Sequence, residues 1–277
     1  MSFISYAQNF EDVMLWRALK HIEHGFYIDV GAAFPDEHSV TRAFYDRGWK
    51  GINVEPDPAL HRQLQESRPH DQNLRLAVGD SEGYLVMNFL EGTGISTLDD
   101  AIADKYLQTG WNMKRQEAQV TTLTNLWLQY VPAGQDVHFL KVDVESMEEA
   151  VLRGNDWTKN RPWLVVVEAT LPLSQVELYE TWEPILFSAN YLFAYADGLN
   201  RFYAAVEHPE ILSSFQYPPN FFDDFVLAAQ VKAEAKAQQV EAVLNAVYNS
   251  RAWRWTVPLR WIEKKLRIIR DKLRCWR

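Results

Sequence analysis

The sequence predicts an α/β fold: a doubly wound, Rossmann-like parallel sheet followed by a C-terminal helical tail. Three observations predict it. Short, nearly continuous apolar runs at residues 26–31, 51–55 and 163–168 suit strands covered on both faces. Stretches of helical pattern alternate with such runs, so that β-α-β-α-β fits into residues 26–79. An Ala/Gln/Val-rich stretch near the C-terminus favours helix by composition alone.

Each element has its local reason. Residues 3–22 read as a polar lead-in and a helix, with Asn9 as its cap and Phe10, Val13, Met14, Arg17 and Ala18 as a partly apolar stripe. Gly25 stops it, and residues 26–31 form the first strand. A helix at 39–47 ends at Gly48. The strand at 51–55 meets Pro56-Asp57-Pro58, a helix follows at 59–66, and a third strand at 74–78 closes at Gly79-Asp80. Residues 84–90 read as a further strand or an extension of the sheet. Gly92 and Gly94 break the next stretch, in which 101–107 has a helical pattern. A β-prone piece at 118–122 and a helix at 123–129 precede a buried strand at 137–144. A helix at 147–152 ends before Gly154, and 163–168 (WLVVVE) is the clearest strand. Residues 177–188 read as a helix bending at Pro184, and 191–195 with 201–206 as an antiparallel pair around Asp197-Gly198. Pro218-Pro219 breaks the chain, and 225–247 reads as one helix. Three parts are expected: a domain at 1–224, a helical spacer at 225–250, and a basic, Trp-rich amphipathic tail at 251–277.

Composition narrows the class. The chain has 277 residues, 47% hydrophobic and 23% charged, which is ordinary globular usage. One cysteine excludes an internal disulfide and a multi-Cys zinc site, and points to a reducing, cytoplasmic setting. No run of 18 apolar residues predicts a spanning helix, and the N-terminus lacks a signal-peptide pattern. Charge is uneven. Against a net −9, residues 251–277 carry +8 and residues 229–250 carry zero, which leaves −17 on residues 1–228. Such a body repels polyanions, so no nucleic-acid partner is expected.

Asp29, Glu55 and Asp143 fall where strands should end, and open α/β sheets bind ligands at the carboxyl ends of their strands. One acid at a strand end is commonly a cap for the next helix. Three of them, with the small-residue turn Gly31-Ala32-Ala33, point to an adenosine-type site. Glu55 lies 24 residues after Gly31, near the spacing at which a carboxylate grips ribose hydroxyls. The glycine-rich fingerprint of dinucleotide sites is absent, and Asp36 and Glu37 would repel phosphate. S-adenosyl-L-methionine, cationic and free of phosphate, suits these surroundings.

Phe26-Tyr27-Ile28-Asp29-Val30-Gly31-Ala32, Trp49-Lys50-Gly51-Ile52-Asn53-Val54-Glu55-Pro56, and Lys141-Val142-Asp143-Val144-Glu145 with Val151-Leu152-Arg153-Gly154 resemble the FkbM family of S-adenosylmethionine-dependent methyltransferases. Ser5-Tyr6-Ala7-Gln8-Asn9-Phe10-Glu11-Asp12 is similar to that family's N-terminal element. The resemblance spans residues 3–206. Phe34-Pro35 stands where the family usually has a second glycine. The resemblance implies that Asp29 and Gly31 line the methionine and ribose side, and that Glu55 holds the ribose hydroxyls. It also implies that Asp80 faces the adenine amino group, that Asp143 sits beside the sulfonium, and that Gln8 closes over the cofactor.

Methyl transfer to a hydroxyl needs a positioned acceptor and a group to take its proton. His38, Lys141, Glu145 and Glu168 are the catalytic candidates. His38 reads equally as an exposed histidine of the first helical turn, and Lys141 with Glu145 as a structural ion pair. No metal-specific spacing occurs, so no metal ligand is assigned. In the tail, Ile262, Leu266, Ile269 and Leu273 share a helical face beside ten basic residues and four Trp, as in an interfacial membrane helix; packing in a homo-oligomer is the alternative. Tyr248-Asn249-Ser250-Arg251-Ala252-Trp253-Arg254 with Pro258-Leu259-Arg260 is similar to a segment found after glycosyltransferases of surface-polysaccharide assembly. The expected function is an S-adenosylmethionine-dependent O-methyltransferase acting on a saccharide or lipid-linked saccharide, cytoplasmic and peripheral at the inner membrane face. The alternative is a non-enzymatic, methyltransferase-like adaptor held at the membrane by its tail.

Overall fold

The computed structural model describes residues 2–90, 92–94, 96–97, 107, 110–171, 174–256, 258, 261–262 and 265–266. The chain divides into two units, Met1–Phe225 and Val226–Arg277. In chain order the first holds β1 (Phe3–Ser5), α1 (Glu11–Leu19), β2 (Phe26–Val30), α2 (Arg42–Tyr45), β3 (Lys50–Val54), α3 (Pro58–Ser67), β4 (Gln72–Leu74), β5 (Ala77–Gly79), β6 (Gly83–Leu90), β7 (Ser96–Thr97) and β8 (Met113–Thr122). It continues with α4 (Leu123–Tyr130), β9 (Phe139–Val142), α5 (Glu148–Arg153), β10 (Leu164–Glu168), α6 (Glu183–Ser188), β11 (Tyr191–Ala196) and β12 (Asn200–Ala205).

Seven strands make the central sheet in the order β11-β12-β10-β9-β2-β3-β4. Its ladders are parallel except those of β12, which runs antiparallel to both β10 and β11. From β2 the chain builds outward through β3 and β4. It then returns to the other side of β2 as β9 and builds outward again. Strand order therefore reverses between β2 and β9, the position at which such sheets open a crevice. The pleat sorts side chains to two faces. Ile28, Val30, Ile52, Val54, Leu140, Val142, Val165 and Val167 pack with Leu126, Leu152, Trp182 and Leu186 on one. Tyr27, Phe139, Leu164 and Val166 pack with Met14, Leu15, Leu19, Phe44 and Trp49 on the other. Burying each such side chain stabilises by about 1.5–3 kcal/mol.

Several elements differ from the sequence expectation. The third strand is two: Gln72–Leu74 completes the central sheet, while Ala77–Gly79 joins a second sheet of order β5-β8-β6-β7. There β6 pairs antiparallel with β8 over eight residues, from Gly83↔Val120 to Leu90↔Met113. Exposed Tyr84 and Val86 alternate with polar β8 positions outside, and Met87, Phe89 and Ala118 pack inside. One wet face belongs to an antiparallel sheet, so β6 is not an extension of the parallel one. Asn9 does not cap α1. Phe10 is the N-cap, left-handed at φ 65°, and Asn9 Nδ2 donates to the Asp197 carbonyl instead. Pro184 starts α6 in its first turn, where its missing N–H costs nothing, rather than bending a longer helix. The expected helix at 101–107 falls, but for Leu107, outside the described residues.

The second unit holds α7 (Ala228–Asn249) and α8 (Arg251–Trp255). α7 starts three residues later than expected, because Phe225–Leu227 is extended. Of the tail's apolar stripe, Ile269 and Leu273 lie outside the described residues. Among the described residues no helix is long and apolar enough to cross a membrane.

Candidate active site

At the strand reversal, the ends of β2, β3, β5 and β9 surround a cavity of about 650 Å³, whose wall includes Gln8, Gly31–Phe34, Glu37, His38, Glu55, Leu76–Val78, Lys141, Asp143, Glu145 and Glu168. This is within the size range of small-molecule sites. Gly31 turns the chain away from β2 at φ +80°, and a Cβ there would stand 1.8 Å from the Asp143 carbonyl oxygen. Only glycine permits both the conformation and the approach.

The register of β2 against β9 sets Asp29 beside Lys141. The lysine Nζ donates to the Gly31 carbonyl at 2.7 Å and lies 3.4 Å from Asp29 Oδ1 and 3.2 Å from Asp143 Oδ2. Thr41 Oγ1 donates to the other Asp29 oxygen at 2.7 Å. Burial alone would favour neutral lysine, but the Asp143 and Asp29 carboxylates outweigh it and raise its pKa. Glu145 is raised to about 8, by burial first and then by Asp143 and Glu148. Glu168 is raised further, by burial first and then by the neighbouring carboxyls of Asp143, Glu145 and Glu148. Glu145 Oε2 and Glu168 Oε2 are buried without a hydrogen-bond partner.

The loops are held by carboxylates that accept backbone N–H groups. Glu55 Oε2 accepts from Ala33 at 2.9 Å and Oε1 from Asp57 at 2.8 Å, and burial raises its pKa to about 7. Glu148 accepts from Val144 at 3.1 Å and from Ser146 at 3.3 Å. Asp12 accepts from Tyr6 at 2.7 Å, Ala7 at 3.2 Å and Ser5 Oγ at 2.8 Å, which fixes the turn carrying Gln8. Ala33, His38 and Glu145 are left-handed at φ 47°, 53° and 55°. Such non-glycine conformations cost about 1–3 kcal/mol each and gather where a site over-determines the backbone.

The domain model of the FkbM methyltransferases matches residues 29–193, well over half of the chain, from the Asp29 end of β2 to β11. The chain belongs to the FkbM methyltransferase family. Among solved structures, a TehB-like SAM-dependent methyltransferase from Corynebacterium glutamicum aligns at a TM-score of 0.39 and 8% identity over 70% of this chain and 87% of that one. No curated protein matches.

This FkbM chain brings together Gln8, Gly31, His38, Glu55, Lys141, Asp143, Glu145 and Glu168 around one cavity. Three expected residues have the following surroundings. Asp29 is buried beneath the wall, spent on Thr41 and Lys141, and does not line the cavity. Lys141 lies between the Asp29 and Asp143 carboxylates, which raise its pKa, and cross-links β2 to β9. Asp80 is exposed beyond β5, where it accepts from Ser81, and the wall on that side is Leu76, Ala77 and Val78. Sequence reasoning also missed Arg68. This buried guanidinium donates to Thr41 Oγ1 at 2.7 Å, Ser39 Oγ at 2.5 Å and the Pro35 carbonyl, pinning the loop in which Phe34-Pro35 replaces a glycine. Nothing local marks it, since Arg68 reads as the exposed end of α3. Glu148 and Asp12 were legible only as acids in a first helical turn.

Proposed function

We propose that this FkbM protein is an S-adenosyl-L-methionine-dependent O-methyltransferase acting on a hydroxyl of a saccharide or lipid-linked saccharide. The observation that carries the reading is the set of oxygen acceptors on the wall. Among its described residues are five carboxyl groups, Glu37, Glu55, Asp143, Glu145 and Glu168, against one lysine that carboxylates already neutralise. A phosphate-bearing cofactor would find no cation left to pair with among these residues; a cation carrying hydroxyls finds acceptors. The unpartnered oxygens of Glu145 and Glu168 and the bare Gly31 turn fit such a ligand. Glu55, with lone pairs left after its two backbone bonds, would hold the ribose hydroxyls, and Leu76–Val78 the adenine. Asp143 would face the sulfonium, and Gln8 and Gly31 the methionine end. Bound S-adenosylmethionine supplies an electrophilic methyl group.

The chain's own work is at the acceptor. Glu145, set near neutrality by burial, takes the acceptor's hydroxyl proton, the range in which a general base is most effective. Glu168, at the end of β10 on the same wall, offers its unpartnered oxygen to the ligand. His38, exposed at the rim, contacts the acceptor. The resemblance of residues 248–260 to a segment following polysaccharide glycosyltransferases supports a glycan acceptor, and the +8 of residues 251–277 supports attachment to an anionic membrane.

Calorimetric titration with S-adenosylhomocysteine tests the cofactor. Saturable 1:1 binding that Asp143→Ala weakens is expected; no binding by the folded protein overturns the reading. A screen with labelled cofactor should show transfer to glycans and none to DNA or RNA. Transfer to nucleic acid alone would reject the acceptor class.

A further inference from the structure

Of the twenty-two residues of α7, only Ala228 is buried. Val240, Val243, Leu244, Val247 and Tyr248 are 44–59% exposed. A helix that shows such a stripe to water gains little from it, because helices in proteins owe most of their stability to a packed apolar face. The stripe has a definite period. Ala233, Ala237, Val240, Leu244 and Val247 recur at alternating steps of four and three, the seam of a coiled coil, with Ala237 and Leu244 at a and Ala233, Val240 and Val247 at d. The small residues at the start let two backbones approach closely, and the larger ones fill the seam towards the C-terminal end.

The flanks decide the partner and its direction. In this phase Glu234 and Glu241 occupy e positions and Lys236 a g position. In a parallel pair, a g residue lies beside the e residue of the next heptad on the other strand, so Lys236 of each copy meets Glu241 of the other, twice by symmetry. An antiparallel pair would set e against e, glutamate against glutamate. A parallel pair also starts both basic tails at the same end. Two tails on one surface bind with the gain of a linked second site.

We propose that α7 is a self-association element: two copies of this chain pair through it as a parallel, two-stranded coiled coil seamed by Val240, Leu244 and Val247.

Sedimentation equilibrium of the full chain over a concentration series tests this. A monomer–dimer equilibrium is expected. Lys236→Glu and Glu241→Lys should each weaken the dimer about tenfold, since either turns two attractions into two repulsions. The double exchange should restore it to within about threefold. Leu244→Glu should leave a monomer with unchanged far-ultraviolet circular dichroism. All these positions are exposed, so folding is not at stake. A wild type that stays monomeric to about 100 µM overturns the proposal. So does a dimer indifferent to the charge exchanges, or a monomer whose pelleting with anionic vesicles depends on Leu244, which would make lipid the occupant of the stripe.

Discussion

Lys141→Met is the most informative single change, because it separates a structural cation from a catalytic one. The side chain is 9% exposed and that of Asp29 beside it 1%. Removing the ammonium leaves Asp29 Oδ1 without the cation 3.4 Å away and the Gly31 carbonyl without its 2.7 Å donor. Breaking a buried ion pair from one side costs about 3–5 kcal/mol, and the lost hydrogen bond about 1 kcal/mol more. At about 2–4 °C per kcal/mol for a domain this large, the melting temperature should drop by about 8–24 °C. Asp29→Asn with Lys141→Met removes both charges and keeps the acceptor for Thr41, so the double variant should recover at least half of the loss. Thermal melts of wild type, both singles and the double close the cycle. If Lys141→Met melts within about 2 °C of wild type, or the double is no better than the single, the pair does not join β2 to β9 and the structural role fails.

Glu55→Ala should weaken S-adenosylhomocysteine binding by about 1.5–3 kcal/mol, and Glu55→Gln by less, since the amide oxygen still accepts one backbone N–H; calorimetry reads both. Burial raises Glu55 to about 7 and Glu145 to about 8, so the folded apoprotein holds protons that the unfolded chain releases above about pH 4.4. The folded state binds more protons in that window, so these groups make stability fall from about pH 5 to about pH 8, and Glu145→Gln should melt increasingly above wild type as pH rises. The rate of methyl transfer should rise up to about pH 8 as Glu145 ionises, and Glu145→Gln should lose that limb of the profile. Anionic vesicles should pellet the full chain but not a chain ending at Ser250, and added salt should release it; equal pelleting of both rejects the tail as anchor.

The central sheet was legible because its strands carry their reason within five residues: Phe26–Val30, Lys50–Val54 and Leu164–Glu168 are apolar on both faces and bounded by Gly, Pro or a charge. The cavity was legible through the acids that end them. What the sequence left open depends on partners distant in the chain. Asp29 and Asp143 look alike as strand-end acids, yet the β2–β9 register turns one inward against Lys141 and leaves the other on the wall. Arg68 acts on Ser39 and Thr41 across about a helix and a strand of chain, with no periodic signal. The split of residues 74–78 between two sheets follows from a long β6–β8 ladder whose second strand begins in a stretch without strong pattern.

The same residues explain why the site is costly and why it stands where it does. At the strand reversal the chain leaves β2 towards β3 and leaves β9 towards β10, on opposite sides, which opens a crevice at their carboxyl ends. Gly31 and Asp143 meet there at a distance only glycine tolerates, and Glu145 follows with φ at 55°. Elsewhere such a gap would be filled by apolar side chains. Here it is walled by carboxyl groups whose raised pKa values measure the penalty of keeping them dry. Glu148 and Glu55 spend their oxygens on loop N–H groups, and Lys141 its charge on two strands, so the backbone is fixed before any ligand arrives. The oxygens left over, on Glu145 and Glu168, are therefore preorganised acceptors, which a cation and a hydroxyl donor would relieve by binding.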